Sequence, residues 1–183
     1  MVAGQHLVGH ETWPSSEWTG APSCEPADNG YGRRMDDEPC NAASKAGEDI
    51  AALAFDYANP DELLSEVLSR VAEDFVQQDR RKLVGSTSEI GKAEYAQVAA
   101  FFLREASLES RDQKVLAVRG DHLMLARIVD RFGDGSMREF LAIAYFVGDP
   151  LQERLAVMFD PDDLDLAMTE LDRLHAEIEA GNL

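Results

Sequence analysis

The feature that most constrains the fold is a series of apolar runs and turns between Gln113 and Asp160. The runs are rich in Val, Ile, Leu, Phe and Tyr, which fit the pleated surface of a strand. The breaks between them are Gly120-Asp121, Gly133-Asp134-Gly135 and Gly148-Asp149-Pro150, and such sequences are typical of hairpin loops. The segment therefore predicts four consecutive antiparallel strands joined by three hairpins.

The third of these runs, Met137 to Val147, is apolar on both faces. One parity holds Phe140, Ala142, Ala144 and Phe146, and the other holds Leu141, Ile143, Tyr145 and Val147. A strand with one face in water alternates apolar and polar residues, so this strand is expected to be covered on both sides. Helices are expected on one side and a second subunit on the other, which predicts a homodimer through the convex face of the sheet.

Composition and net charge limit the kinds of molecule that this protein is expected to bind. At 183 residues the chain fits one domain of ordinary size with its own core. Its net charge of −18 disfavours nucleic acid and anionic membranes, which it would repel. No apolar run approaches the ~20 residues of a membrane span. With no pattern of a signal peptide in view, we expect a cytoplasmic protein.

The first 42 residues differ from the rest. They hold four of the seven prolines and both tryptophans without helical or strand periodicity, which predicts a disordered tail ahead of a domain at 43–183. Alternatively, translation starts at Met35. Two histidines and two cysteines here match no compact zinc module, so no metal is expected: His6, His10, Cys24 and Cys40.

Helical patterns flank the predicted strands. A first helix is expected from Ala42 to Tyr57, and Asn59-Pro60 starts a second with an N-cap side chain followed by proline. Asp74 to Asp79 reads as a short strand. A capping box at Ser86 to Glu89 predicts a third helix, from about Gly91 to Ala106.

A last helix follows Asp160-Pro161-Asp162-Asp163, which repeats the pattern of Asn59-Pro60. It carries a stripe of Leu164, Ala167, Leu171, Leu174 and Ile178 at helical spacing. Such a stripe usually docks on the body of a domain. The element order predicts an α+β fold, with helices packed on a curled sheet.

This order resembles the cone-shaped nuclear transport factor 2-like fold, which includes SnoaL-like polyketide cyclases and ketosteroid isomerase. The segments closest to actinobacterial SnoaL-like domains are Asp74-Phe75-Val76, Asp79 to Leu83, Val115 to Asp121, Glu139-Phe140 and Phe159 to Leu164. The resemblance implies three N-terminal helices on an antiparallel meander plus a C-terminal helix. It also implies a pocket for a mostly apolar small molecule and, frequently, a dimer. Related domains often read Asp-His-Arg where this chain has Asp79-Arg80-Arg81, so a histidine able to shuttle a proton is missing.

Candidate site residues follow from the apolar stripes and from the resemblance. Asp79 is the candidate general base, with Tyr57 or Tyr145 as hydroxyl donors to a substrate oxygen; an ion pair of Asp79 with a neighbouring arginine is the alternative. Arg127 and Glu139 are expected to form a cross-strand pair, either at the pocket floor or on an outer face. The expected ligand-binding set is Phe75, Tyr95, Phe102, Leu125, Arg127, Glu139, Leu141 and Phe159.

Two functions remain open on the sequence. The first is a domain that binds an apolar small molecule without catalysis and without a cofactor. The second is a cofactor-free isomerase, cyclase or dehydratase acting on a polyketide- or steroid-like substrate. Because one fold can carry many reactions, the residues of the site must distinguish them.

Overall fold

The computed structural model of this protein describes residues 39–56, 59–82 and 88–183. Within them lie four helices and six strands. The helices are α1 (Ala42–Asp56), α2 (Pro60–Ser69), α3 (Lys92–Arg104) and α4 (Leu164–Glu179). The strands are β1 (Val71–Asp79), β2 (Ser88–Gly91), β3 (Leu108–Arg119), β4 (Leu123–Phe132), β5 (Met137–Val147) and β6 (Gln152–Phe159). No described helix is long and apolar enough to cross a membrane.

The six strands form one curled, mixed sheet in the order β2-β1-β6-β5-β4-β3. Strands β3 to β6 are the predicted antiparallel meander. Strand β1 adds to the edge of β6 in parallel, and β2 pairs antiparallel with β1. The predicted α+β architecture, with helices on a curled sheet, is confirmed.

The three hairpin positions are also as predicted. Gly120, Gly135 and Gly148 have φ values of 51°, 81° and 83°, a region that favours glycine because it lacks a Cβ. The meander begins earlier than expected, since β3 starts at Leu108 and not at Gln113. Residues 108–112 carry many charges, so this part of the strand shows no apolar run in the sequence.

The predicted capping box ahead of α3 is wrong. Ser88 to Gly91 form strand β2, with Glu89 and Ser88 opposite Gln78 and Asp79. Helix α3 begins after Gly91, which makes no side-chain capping bond. Ser86 lies outside the described residues. Pairing with the edge of β1 gives hydrogen-bond partners to backbone groups of both strands. A helix cap at these residues would have left the same groups of β1 unpaired.

The two Pro-containing helix starts differ. At α2 the Asn59 side chain accepts a hydrogen bond from the Asp61 amide at 3.0 Å, which confirms the predicted N-cap. At α4 the N-cap residue Asp163 accepts no such bond. Its carboxylate pairs with Lys82 at 2.8 Å instead, so the predicted repeat of the capping pattern is wrong.

The start of α1 is tied to the sheet by Asn41. Its side-chain nitrogen donates to the carbonyls of Gly120 and Leu123 at 2.8 and 3.0 Å, while its oxygen accepts from the Ser44 amide at 2.7 Å. One side chain therefore caps the helix and fixes it to the β3–β4 hairpin. The predicted tail lies outside the described residues up to residue 38, and its disorder stays a prediction.

The sheet has a hydrophobic cluster on each face. On one face α1 packs on Met124, Phe140 and Phe146. On the other face α4 packs its stripe of Ala167, Leu171 and Leu174 on residues of the meander. These strand residues are Ala117, Leu123, Leu125, Leu141, Ile143, Tyr145, Val157 and Phe159.

Helix α4 of the same chain therefore covers the face of β5 on which a second subunit was expected. The two apolar faces of β5 do not require a dimer. Ala142 and Ala144 belong to the α1 side and do not point outward. A homodimer stays a prediction without an assigned surface. Sedimentation velocity at micromolar concentration measures it directly.

Candidate functional site

A cavity of about 400 Å³ lies between helices α1 to α3 and the sheet. Its apolar wall comes from both layers and includes Ile50, Leu63, Val67, Phe75, Ile90, Tyr95, Val98, Ala99, Phe102, Leu103, Met124, Ile128, Phe140, Ala142, Ala144, Phe146, Ala156 and Met158. Polar side chains enter from strands β1, β2, β3, β5 and β6 and from the segment after β1. They are Gln77, Asp79, Arg81, Ser88, Arg111, Gln113, Arg138 and Glu153.

Helix α3 forms one wall of this cavity. No residue of α3 is fully buried, and Val98 is 39% exposed. The inward side chains border open space and not a filled core. Tyr95 contacts Phe75 with ring centroids 5.0 Å apart, and Phe102 contacts Phe132 at 5.9 Å, so aromatic pairs hold the helix on the sheet at its two ends.

Asp79 lies at the end of β1, on the same face as Phe75, and is buried. Its carboxylate accepts two hydrogen bonds from the Arg81 guanidinium, at 2.9 and 2.6 Å, and one from the Arg81 amide at 3.1 Å. Burial raises the pKa of Asp79, but the hydrogen bonds and the charge of Arg81 outweigh it and leave the pKa lowered. A lowered pKa does not suit a general base, and the ion-pair alternative describes the geometry.

A second carboxylate, Asp130 on β4, is fully buried between two arginines. Arg111 of β3 donates to it at 2.6 and 3.1 Å. Arg138 of β5 donates through Nε at 3.0 Å and through Nη2. Burial raises the pKa of Asp130, yet the bonds from Arg111 and Arg138 lower it overall, so the group is ionised at neutral pH.

Glu153 on β6 is the acid of the cavity without such a partner. Its carboxyl has no hydrogen bond among the described residues, and the positive charge that acts on it is that of Arg111. Burial raises the pKa of Glu153 to about 7, an effect that Arg111 only partly offsets. Tyr95 lies in the same region; burial and then the charge of Glu153 raise its pKa to about 12. At neutral pH Glu153 can therefore either accept or give a proton.

Gln113 brings a further polar group to the helix α1 side of the cavity. Its side-chain nitrogen is buried without a hydrogen-bond partner among the described residues. It lies close to Gly47 of α1, where an added Cβ would come within 3.2 Å of this nitrogen and 2.3 Å of the Met124 methyl group. Glycine at this position lets the helix approach Met124. A buried amide without a partner costs free energy that a polar ligand atom could recover.

The structure brings four of the predicted site residues to the cavity: Asp79, Phe75, Tyr95 and Phe102. Tyr57 lies outside the described residues. The other six predicted residues do not line the cavity. Their side chains lie on the opposite face of the sheet, where α4 covers some of them and others are partly exposed. These six are Leu125, Arg127, Glu139, Leu141, Tyr145 and Phe159.

The predicted Arg127–Glu139 pair is present, with Nη1 and Oε1 2.6 Å apart. Both side chains are partly exposed, at 40% and 31%, so this pair is the outer-face alternative. The reason for the error is parity. A strand with two apolar faces does not show which face the cavity borders, and the choice of odd positions on β4 and β5 placed this pair on the wrong side.

Four residues of the cavity region were not predicted from the sequence: Arg111, Asp130, Arg138 and Glu153. Asp130 had a usable signal, because it shares its parity with Met124 and Ile128 and is therefore an acid on an apolar face. Arg111 and Glu153 lie in charged runs that read as solvent-facing. Within 39–56, 59–82 and 88–183, no group of three His, Cys, Asp or Glu side chains could hold a metal ion.

No protein-family model matches this sequence, and no curated protein does. Among solved structures the chain is similar to a nuclear transport factor 2-like protein of Exiguobacterium sp. 255-15, at 13% identity over 67% of this chain and 99% of that one, with a TM-score of 0.45. It is similar to an epoxide hydrolase of the LEH-like type from M. tuberculosis, at 18% identity over 76% and 96%, with a TM-score of 0.44. A designed protein with a curved β-sheet matches at 10% identity over 73% and 96%, with a TM-score of 0.47.

These likenesses concern the fold alone and transfer no chemistry. The four helices on one curled, mixed sheet are consistent with the nuclear transport factor 2-like cone that the element order predicted. The actinobacterial SnoaL-like type stays a prediction.

Proposed function

We propose that this domain binds a small molecule with an apolar body and a polar end in the cavity between α1–α3 and the sheet. The observation that supports this most is the cavity itself. Its volume of about 400 Å³ falls in the range of ligand sites, and its wall is mainly apolar with a few convergent polar groups.

The state of α3 supports the same proposal. Protein interiors are normally filled to high density, and apolar side chains that border empty space lose dispersion contacts. The inward side chains of α3, among them Val98 and Phe102, lack a filled core in front of them. A ligand that occupies the space would supply those contacts and stabilise the folded state by mass action.

Native mass spectrometry of the purified full-length protein tests the proposal, because a bound molecule adds a discrete mass. Ala99→Phe on α3 should fill part of the cavity and remove the adduct. Ala176→Phe, on the exposed side of α4, is the matched control and should keep it. A protein that shows no adduct, and whose melting temperature no apolar compound raises, would contradict binding.

A second function, cofactor-free acid–base catalysis, is favoured by one observation. Glu153 is an unpaired carboxyl in the cavity, and burial raises its pKa to about 7, where a general base or acid is most effective. Asp79 is a poorer base because Arg81 holds its carboxylate. We propose that Glu153, and not Asp79, is the general base of an isomerase, cyclase or dehydratase.

Exchange of carbon-bound hydrogen tests this second function without knowledge of the natural substrate. A cyclic or steroid ketone is incubated with the protein in D₂O, and deuterium uptake beside the carbonyl is followed by NMR. Catalysed uptake should disappear in Glu153→Gln and persist in Asp79→Asn. Deuterium uptake equal to that in buffer without protein would contradict catalysis, and only the binding function would remain.

A further inference from the structure

The cavity contains two arginines that share a single carboxylate. Arg111 and Arg138 come from the outer strand β3 and the central strand β5, and both bind Asp130 on the strand between them. Asp130 is completely buried, whereas the two arginine side chains are 25% and 24% exposed. The carboxylate is thus enclosed below the guanidinium groups, and the guanidinium groups are what a molecule in the cavity meets.

Each guanidinium keeps donors free. A guanidinium has five N–H groups. Arg111 and Arg138 both use Nε and Nη2 toward Asp130, which leaves Nη1 of each without a partner among the described residues. Since both arginines line the cavity, a bound oxygen anion can be held by two sets of N–H groups at once.

Arg138 is also held in place before any ligand arrives. Its guanidinium lies 4.2 Å from the ring centroid of Phe102 and 5.0 Å from that of Phe140. The two rings and the bonds to Asp130 restrict the side chain, so little conformational entropy is lost when it binds an anion.

The charges of the cavity favour an anion. Asp79 is neutralised by Arg81, and one Asp130 cannot neutralise two arginines, so the Arg111–Asp130–Arg138 group carries one excess positive charge. Glu153 is the remaining acid near Arg111, and because its pKa is raised to about 7 it offsets only part of this charge at pH 7, while Tyr95 beside it stays neutral. The two guanidinium groups are largely shielded from solvent, so an opposite charge is attracted more strongly than at the surface.

We infer that the ligand of the proposed binding function is an apolar monocarboxylic acid, its carboxylate on Arg111 and Arg138 and its hydrocarbon body against α3 and β5. A single carboxylate matches the single excess charge. Its planar pair of oxygens also suits the parallel N–H groups of a guanidinium. This inference depends on the proposed small-molecule site and adds the class of the molecule.

Titration calorimetry with decanoate and decanol tests the inference, because the two probes share a hydrocarbon chain and differ at the polar end. The full-length protein should bind decanoate about ten-fold or more tightly than decanol, as expected for an added charge-assisted contact. Arg138→Met and Arg111→Met should each remove most of this preference. Arg127→Met, which breaks a cross-strand pair on the opposite face, is the matched control and should keep it.

Methionine at 111 or 138 leaves Asp130 with one partner fewer, so either variant could fail to fold. Arg138→Lys retains a positive charge and loses the planar N–H groups, and it should show a reduced but measurable preference. Equal affinity for both probes, or a preference that survives in both arginine variants, would overturn the inference while the binding function stands. If neither probe binds but native mass spectrometry shows another adduct, the carboxylic acid class is wrong. If no adduct is present either, the binding function fails with it.

Discussion

The guanidinium of Arg81 holds the carboxylate of Asp79 through two hydrogen bonds, Nε to Oδ1 at 2.9 Å and Nη2 to Oδ2 at 2.6 Å. The two residues are only two apart in sequence, and the chain bends after β1 so that the Arg81 amide reaches the same carboxylate. A buried carboxylate with three donors is stabilised in its ionised form. This relationship makes Asp79 a structural anchor in the wall of the cavity.

Asp79→Asn should therefore lower stability. The neutral amide cannot replace the ion pair, and the partly buried Arg81 loses its partner, so we expect a loss of about 1–3 kcal/mol in the free energy of unfolding at pH 7. The lowered pKa means that the stabilisation is present above the ordinary pKa of 3.8 and is lost as the pH falls through the folded-state value. Urea denaturation at pH 7 and at pH 3 measures both effects. Asp112→Asn, which breaks the exposed pair with Arg131, is the control and should change stability by less than about 1 kcal/mol.

Glu153→Gln should have the opposite effect and raise the free energy of unfolding at neutral to alkaline pH. The pKa of Glu153 rises from 4.5 to about 7 on folding, so between these values the folded state binds more protons than the unfolded state. Stability attributable to this residue therefore falls as the pH rises through that window, and the penalty is complete above pH 7. The variant should be more stable than the parent protein at pH 8, by about 1–3 kcal/mol, and similar to it near pH 4.

Thermal unfolding across pH 4 to 8 checks this second prediction. Glu62→Gln on the exposed surface of α2 is the matched control and should leave the pH profile of the parent unchanged. A Glu153→Gln profile parallel to that of the parent would show that the carboxyl is ionised throughout and that the cavity is more hydrated than the structure indicates.

Leu171→Ala should show how much of the fold depends on α4. Leu171 is fully buried against the meander, and removing its side chain should cost about 2–5 kcal/mol through lost burial and the cavity left behind. Leu166 lies on the same helix and is 54% exposed, so Leu166→Ala should change stability by no more than about 0.5 kcal/mol. Chemical denaturation of the two variants compares them. Similar small effects for both would mean that α4 is not required to cover the sheet.

Asn41→Ala tests where the domain begins. The variant loses the cap of α1 and two bonds to the β3–β4 hairpin, and we expect a loss of about 1–2 kcal/mol. Deleting residues 1–34, which are predicted to be dispensable, should leave the melting temperature almost unchanged. Calorimetry of both proteins gives the comparison, and a large effect of the deletion would place the domain boundary within the tail.

Much of the fold could be predicted because its signals are local. Hairpin glycines, an N-cap asparagine and apolar stripes at helical spacing depend on neighbouring residues. The three hairpins, the start of α2 and the stripe of α4 from Ala167 to Ile178 are where the sequence places them. Leu164, predicted in the same stripe, is 38% exposed. Strand β2 was missed because four residues with a serine and a glutamate carry no strand signal of their own. Only the edge of β1 gives them partners.

The site depended on tertiary structure for a physical reason. Alternation along β4 and β5 separates their residues into two sets, but it does not say which set meets the cavity and which meets α4. Docking of α1–α3 on one face and α4 on the other made that choice, and it placed Arg138 in the cavity and its neighbour Glu139 on the opposite face. The sequence by itself determined the meander, its turns and its two apolar faces. The burial of Asp130 between Arg111 and Arg138, and of Glu153 without a partner, was decided by packing between distant segments, because those interactions exist only once the sheet is assembled and its helices are in place.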